Sequence, residues 1–290
     1  MSSEQAVTIS GLVRRFWVRV SITTVLVVLE SVVTVLFPLF IGLAINGLLV
    51  DSMNGVIAFG ALVAAAVILG SARRAYDTRA YAAIYETTAS ELVERERARG
   101  TDVSTVVART RLLSEFVQFL ETSLPGVANG SISLVGTLVI LATINIPVFL
   151  GCLGVVLVVV VQYALTGRLN YRLNEGFNDE LEGQVDAIAS PDPVVARTHF
   201  RTLMRWSIRL SDLETVNYAV IFVAVIALLV YAPVALVDQT AEYGFVFAAL
   251  MYVFQFTGDL EAFPYYVQQV IRLREISARL GDTGEDAAPA

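Results

Sequence analysis

Residues 131–165 read "SISLVGTLVILAT" (131–143), "INIP" (144–147) and "VFLGCLGVVLVVVVQYAL" (148–165), inside a run over 129–167 without a single charged side chain. Each apolar half approaches the length of about 20 residues that a helix needs to cross a bilayer. Pro147 lacks an amide donor and disfavours helix at the residue before it, so the "INIP" segment reads as a turn between two membrane spans. This stretch decides the fold class: an all-α membrane protein, with these as spans 3 and 4.

Working outward, four further apolar stretches lie near 20–43, 56–75, 216–236 and 242–264. The whole chain of 290 residues is 56% hydrophobic and only 16% charged, with a mean hydropathy of +0.67. Lysine is absent, so all 20 basic residues are arginine. They precede span 1 (Arg14, Arg15, Arg19), lie between spans 2 and 3 and between spans 4 and 5, and follow span 6. The other connections, 48–54, 144–147 and 236–243, contain none. Positively charged loops stay on the cytoplasmic side. The expected topology is therefore a multi-pass plasma-membrane protein with both termini and both long loops in the cytoplasm. Residues 1–13 form an N-terminal tail, 14–281 the six-helix domain and 282–290 an acidic tail. A cleavable leader is not expected, because Glu30 interrupts the first apolar run and no small-x-small site follows it. The pI near 4.9 argues against a nucleic-acid partner. Cys152 is the one cysteine, which allows no internal disulfide, and its place within span 4 suits packing rather than reactivity.

The long loops have helical composition. "RAYAAIYETTASELVERERAR" (79–99) is built mostly from good helix formers, so span 2 continues far past the membrane. Along it, Ala83, Thr87, Glu91 and Arg95 share one face, and Ile84, Thr88, Leu92 and Glu96 lie beside it. Gly100 stops this helix. A new one begins at "TDVSTVVARTRLLSEF", with Asp102 or Ser104 as N-cap, and returns as span 3. In the second loop span 4 extends through "LNEGFNDELEGQVDAIA" (173–189), "SPDP" (190–193) interrupts, and Asp192 caps a helix with Pro193 at its first position.

"FPLFIGLAINGLL" (37–49), "RAYAAIYETTASELVERERARG" (79–100), "LNEGFNDELEGQVDAIA" and "YGFVFAALMYVFQFTGDLEAFPYYVQQVIRLREISARL" (243–280) together resemble the transmembrane domain of exporter-type ABC transporters. No piece is a sharp motif; the order and spacing carry the likeness over roughly residues 14 to 281. The chain departs from the full transporters in having no G-x-x-x-x-G-K-[ST] phosphate loop, so ATP hydrolysis by that route is not expected from it. It is most similar to stand-alone six-transmembrane domains of this type. The resemblance implies a homodimer in which the span 4–5 pair crosses to the partner. It also implies that ATP acts only through a separate ATPase subunit, if there is one.

Two readings of the charge run "ELVERERARG" (91–100) then stand side by side. In one, Glu94, Glu96, Arg97 and Arg99 form a solvated face whose surface pairs contribute about 0–1 kcal/mol each. In the other, Glu94, Arg97 and Arg99, with Asp192 and Arg197 of the second loop, form a docking surface for an ATPase subunit. Within the membrane, Glu30 lies about 16 Å beyond Arg19, near mid-bilayer, with Ser31 its only polar neighbour in span 1. A carboxylate there is costly, so it serves either as a cation or proton site or as a neutral packing residue. Asn46, Gln255, Asp259 and Glu261 are the other candidates for a substrate or ion pathway, because span 6 lines the pathway in the resembled family. His199 is the lone histidine, and no metal site or catalytic residue is expected. The functions left open are a transport subunit, a non-transporting scaffold that keeps the fold, and an ion-coupled or passive carrier using Glu30.

Overall fold

The computed structural model describes residues 11, 14–237 and 242–282. Residues 1–10, 12–13 and 283–290 of the two tails, and 238–241 in the last connection, lie outside the described residues. Among the described residues these α-helices follow in chain order: α1 (Trp17–Leu49), α2 (Asn54–Ala98), α3 (Val103–Gln118), α4 (Leu124–Ile144), α5 (Ile146–Glu182), α6 (Gln184–Ala189), α7 (Pro193–Val237) and α8 (Tyr243–Asp282). A π-helical turn, Phe119–Ser123, joins α3 to α4. Six of the resulting rods are long and apolar enough to cross a membrane. The architecture is thus all-α with six spans and two long helical extensions, as the composition predicts.

The chain divides into two compact units. The first comprises α1 to α4 and α8. Here α1 and α2 form a hairpin closed by a short turn. Asp51, at φ 56°, takes the left-handed position after α1, and the Ser52 amide donates to the Gly47 carbonyl at 2.9 Å, the arrangement that ends many helices. Glycines allow the close crossings. A Cβ on Gly42 would come within 2.6 Å of the Gly244 carbonyl oxygen, and one on Gly55 would clash with the Leu43 carbonyl oxygen. Tyr252, buried on α8, donates to the Val35 carbonyl of α1 at 2.8 Å.

Beyond the apolar spans, α2, α3, the π-helical turn and the end of α8 share a core of Tyr81, Ile84, Leu92, Leu113, Phe116, Val117, Phe119, Leu120 and Ile276. The row Ile84, Thr88, Leu92, Glu96 is the buried face of α2, one residue per turn. That row makes the first arm a packed structure rather than a lone helix, and truncating a residue such as Leu113 would cost about 2–5 kcal/mol.

The second unit is the hairpin of α5, α6 and α7. Asn145 caps α5 by accepting from the Val148 amide at 2.9 Å, with Pro147 in the first turn. Its amide reaches the Ala235 carbonyl of α7 at 3.4 Å. Further along, Gln162 donates to the buried Asn217 at 2.9 Å, and the Trp206 ring fills the space left by Gly176. Cys152 is fully buried in this hairpin.

Candidate functional site

Counting from the hairpin turn places Glu30. It lies 19 residues before the end of α1, and Arg73 lies 19 residues after the start of α2. Both are therefore about 28 Å from the arginine-free end, close to the far boundary of an apolar core about 30 Å thick. The two side chains meet as an ion pair. Arg73 also donates to Asp77 at 2.9 Å, and Thr23 donates to the other Asp77 oxygen at 2.7 Å. Glu30 thus belongs to a four-residue network, and Arg73, on the adjacent helix, is the partner that the span 1 sequence alone does not contain. The depth is corrected too. Measured from the turn rather than from Arg19, Glu30 sits toward the arginine-rich boundary, because α1 extends well past the apolar core at its N-terminal end.

Three of the four, Glu30, Arg73 and Asp77, form the floor of a cavity of about 450 Å³. Its walls come from α1, α2, α4 and the π-turn, and include Arg74, Glu121, Gly126 and Asn129. The π-turn inserts one extra residue per turn between α3 and α4 and so sets the register in which Glu121 and Thr122 reach the cavity. The sequence reading missed Glu121 and Arg73 as site residues. A count along both sides of the α1–α2 turn would have found Arg73.

The remaining pathway candidates separate into distinct places. Asn46 lies at the arginine-free end, about 24 Å along α1 from Glu30. Its amide donates to Glu242 at 2.7 Å, and its carbonyl oxygen accepts from the Gly244 amide at 2.7 Å, so it ties α1 to the start of α8. Gln255 and Asp259 come together. Ser133 of α4 donates to Asp259 at 2.5 Å and accepts from Gln255 at 2.8 Å. Glu261 lies on another face of α8 and is exposed. Among the described residues no group of three or more His, Cys, Asp or Glu side chains could hold a metal ion. His199 is buried, with Nδ1 at 2.8 Å from Glu180.

At the tip of the first arm, Gly100 adopts φ +71°, its amide donates to Arg97 and the Thr101 amide donates to Glu96. This is the helix stop expected there. Glu96 itself is buried, only 3% exposed. Its carboxylate pairs with Arg109 of α3 at 2.7 Å, with Arg99 at 3.7 Å, and accepts from the Thr101 hydroxyl at 2.8 Å. Burial pushes this carboxyl up, but the Thr101 and Arg109 hydrogen bonds and the Arg109 and Arg99 charges hold it below its ordinary value. The picture of four solvated charges is corrected for this residue: Glu96 occupies the buried row of α2, whereas Glu94, Arg97 and Arg99 are exposed. Five residues back, Arg15 grips Glu91 through two hydrogen bonds of 2.6 and 2.7 Å. Across the turn, Asp102 caps α3 by accepting from the Ser104 amide at 3.0 Å.

At the tip of the second arm, Asp192 caps α7 by accepting from the Val194 amide at 2.9 Å. Arg197 is exposed. Around the "SPDP" break, Val185, Ile188 and Val194 stand 75%, 59% and 62% exposed.

The family model for the ABC transporter transmembrane region matches residues 10–254. The chain belongs to that family: it is a multi-pass membrane protein built as the membrane domain of a transporter. No curated protein matches it.

Proposed function

We propose that this chain is the membrane-spanning subunit of an exporter-type ABC transport system, working as a homodimer in the plasma membrane with its energy supplied by a separate ATPase chain. The observation that carries the reading is the family match over residues 10–254, joined to six spans whose arginines all lie at one end. The positive-inside rule makes that end, with both arms and both termini, cytoplasmic. These 290 residues contain no phosphate loop, so on this reading ATP hydrolysis is the task of a domain outside them.

Two structural features support the assembly. The α5–α7 hairpin packs as a unit of its own, as a helix pair exchanged between subunits must. The second arm ends in exposed valines and an isoleucine beside Asp192 and Arg197, a mixed apolar and charged tip suited to a protein partner. On this reading the subunit holds no catalytic residue. Its part is to convert closure of the ATPase subunits, felt at the arm tips, into movement of the spans. The ion-pairing of Glu30 with Arg73 favours a positioning role over ion coupling for that carboxylate.

Purification in mild detergent after cross-linking in native membranes tests the proposal. It should yield a dimer together with an ATPase-bearing chain. A strictly monomeric protein with undiminished transport would contradict it.

A further inference from the structure

We propose that the cavity at the arginine-rich end of α1, α2 and α4 is a binding site for a phospholipid with an amine-bearing headgroup, of the phosphatidylethanolamine kind. Its volume of about 450 Å³ falls in the range of sites that take small molecules, roughly 300–1,000 Å³. The floor carries Glu30 and Asp77 against one guanidinium, Arg73, and so keeps one negative charge in excess. Two more ionic side chains line the cavity without an ion-pair partner among the described residues: Glu121 and Arg74. The site therefore offers an unmatched carboxylate beside an acidic floor and an unmatched, exposed guanidinium. That is the complement of a ligand carrying an ammonium and a phosphate on one short headgroup.

Position selects a lipid over a soluble zwitterion. The floor lies about 28 Å from the opposite end of the spans, where headgroups meet hydrocarbon. On the membrane side of Arg73, Val67 and Ile68 stand 62% and 69% exposed, and Leu29 and Val32 flank Glu30 with 48% and 45% exposed. None of the four lines the cavity itself, but all lie on two of its helices within about 9 Å along the axis from Glu30 or Arg73, where acyl chains run along the exposed apolar surface. Gly126 keeps the cavity open, since a Cβ there would meet nothing within 4 Å. The site does not depend on the transport reading, and it holds for a resident or a carried lipid alike.

The test is native mass spectrometry of the full-length protein in mild detergent, titrated separately with phosphatidylethanolamine, phosphatidylglycerol and free phosphoethanolamine. The ethanolamine lipid should bind most tightly. Glu121→Gln should weaken it about tenfold, the loss of one charge-assisted hydrogen bond, while leaving phosphatidylglycerol unaffected or slightly improved. Arg74→Gln, at the exposed rim, should weaken both lipids. Gly126→Leu should abolish binding with an unchanged melting temperature, because it fills space and improves helix propensity. Equal affinity for the two lipids, binding untouched by both Glu121→Gln and Gly126→Leu, or free phosphoethanolamine binding as tightly as the lipid would each overturn the proposal.

Discussion

The two arm tips solve the same problem, reversing a long helix beyond the membrane, by opposite means. The first closes on itself. Gly100 ends α2, and the buried Glu96 carboxylate is shared among Arg109, Arg99 and Thr101. The second stays open. A cap at Asp192 starts α7, but Val185, Ile188 and Val194 remain uncovered by their own unit. The difference teaches that charge density is a poor guide to a docking surface. Both tips expose apolar side chains, Val103 and Val107 at 74% and 59% in the first as well as Val185, Ile188 and Val194 in the second, but the charge-rich first tip satisfies its central carboxylate internally.

Substitutions can break this comparison. The largest effect is expected at Glu96. Glu96→Gln leaves Arg109 half-paired in a mostly buried site and should destabilise the first arm by about 2–3 kcal/mol. Amide hydrogen exchange over residues 96–110 would show it as lost protection, with residues 185–200 unchanged. The same tip should respond to acid. Because the Glu96 carboxyl is held below its ordinary value of 4.5, its stabilisation is complete above that pH and is lost as pH falls through the lower, folded-state value. Exchange at the first tip should therefore rise as pH falls below that ordinary value, and Glu96→Gln should remove that rise.

Next comes Gly100→Ala. It forces a side chain into the left-handed region and should cost about 1–2 kcal/mol, readable as a lower melting temperature. Asp192→Ala removes one cap bond and should cost about 1 kcal/mol, confined to the start of α7. Glu94→Gln and Arg97→Gln sit at the small end, within about 0.5 kcal/mol, because both side chains are exposed. The comparison sharpens if Ile188→Ser and Val194→Ser reduce capture of the ATPase chain while Glu94→Gln and Arg97→Gln do not. Equal loss from both tips would erase the distinction.

What the sequence made legible was local. The spans follow from runs of apolar residues, and Asp102, Asp192, Pro193 and Gly100 mark helix ends through interactions within a few residues of themselves. The site was less visible because its contacts are remote in sequence. Glu30 meets Arg73 only once the α1–α2 turn fixes which residues share a depth. Glu96 looks solvated inside "ELVERERARG" until Arg109, on the next helix, folds over it. Glu121 depends on a π-turn, and no residue in "FLETS" announces the extra residue per turn.

The account rests most heavily on placing both arms on the cytoplasmic side, and single-cysteine labelling in a Cys152→Ala background tests that directly. Ser52→Cys, in the α1–α2 turn, should react with an impermeant maleimide in intact cells. Thr101→Cys and Ser190→Cys, at the two tips, should react only after the membrane is permeabilised. Labelling of Thr101→Cys from outside, with Ser52→Cys protected, would contradict the orientation and with it the role proposed for the arms.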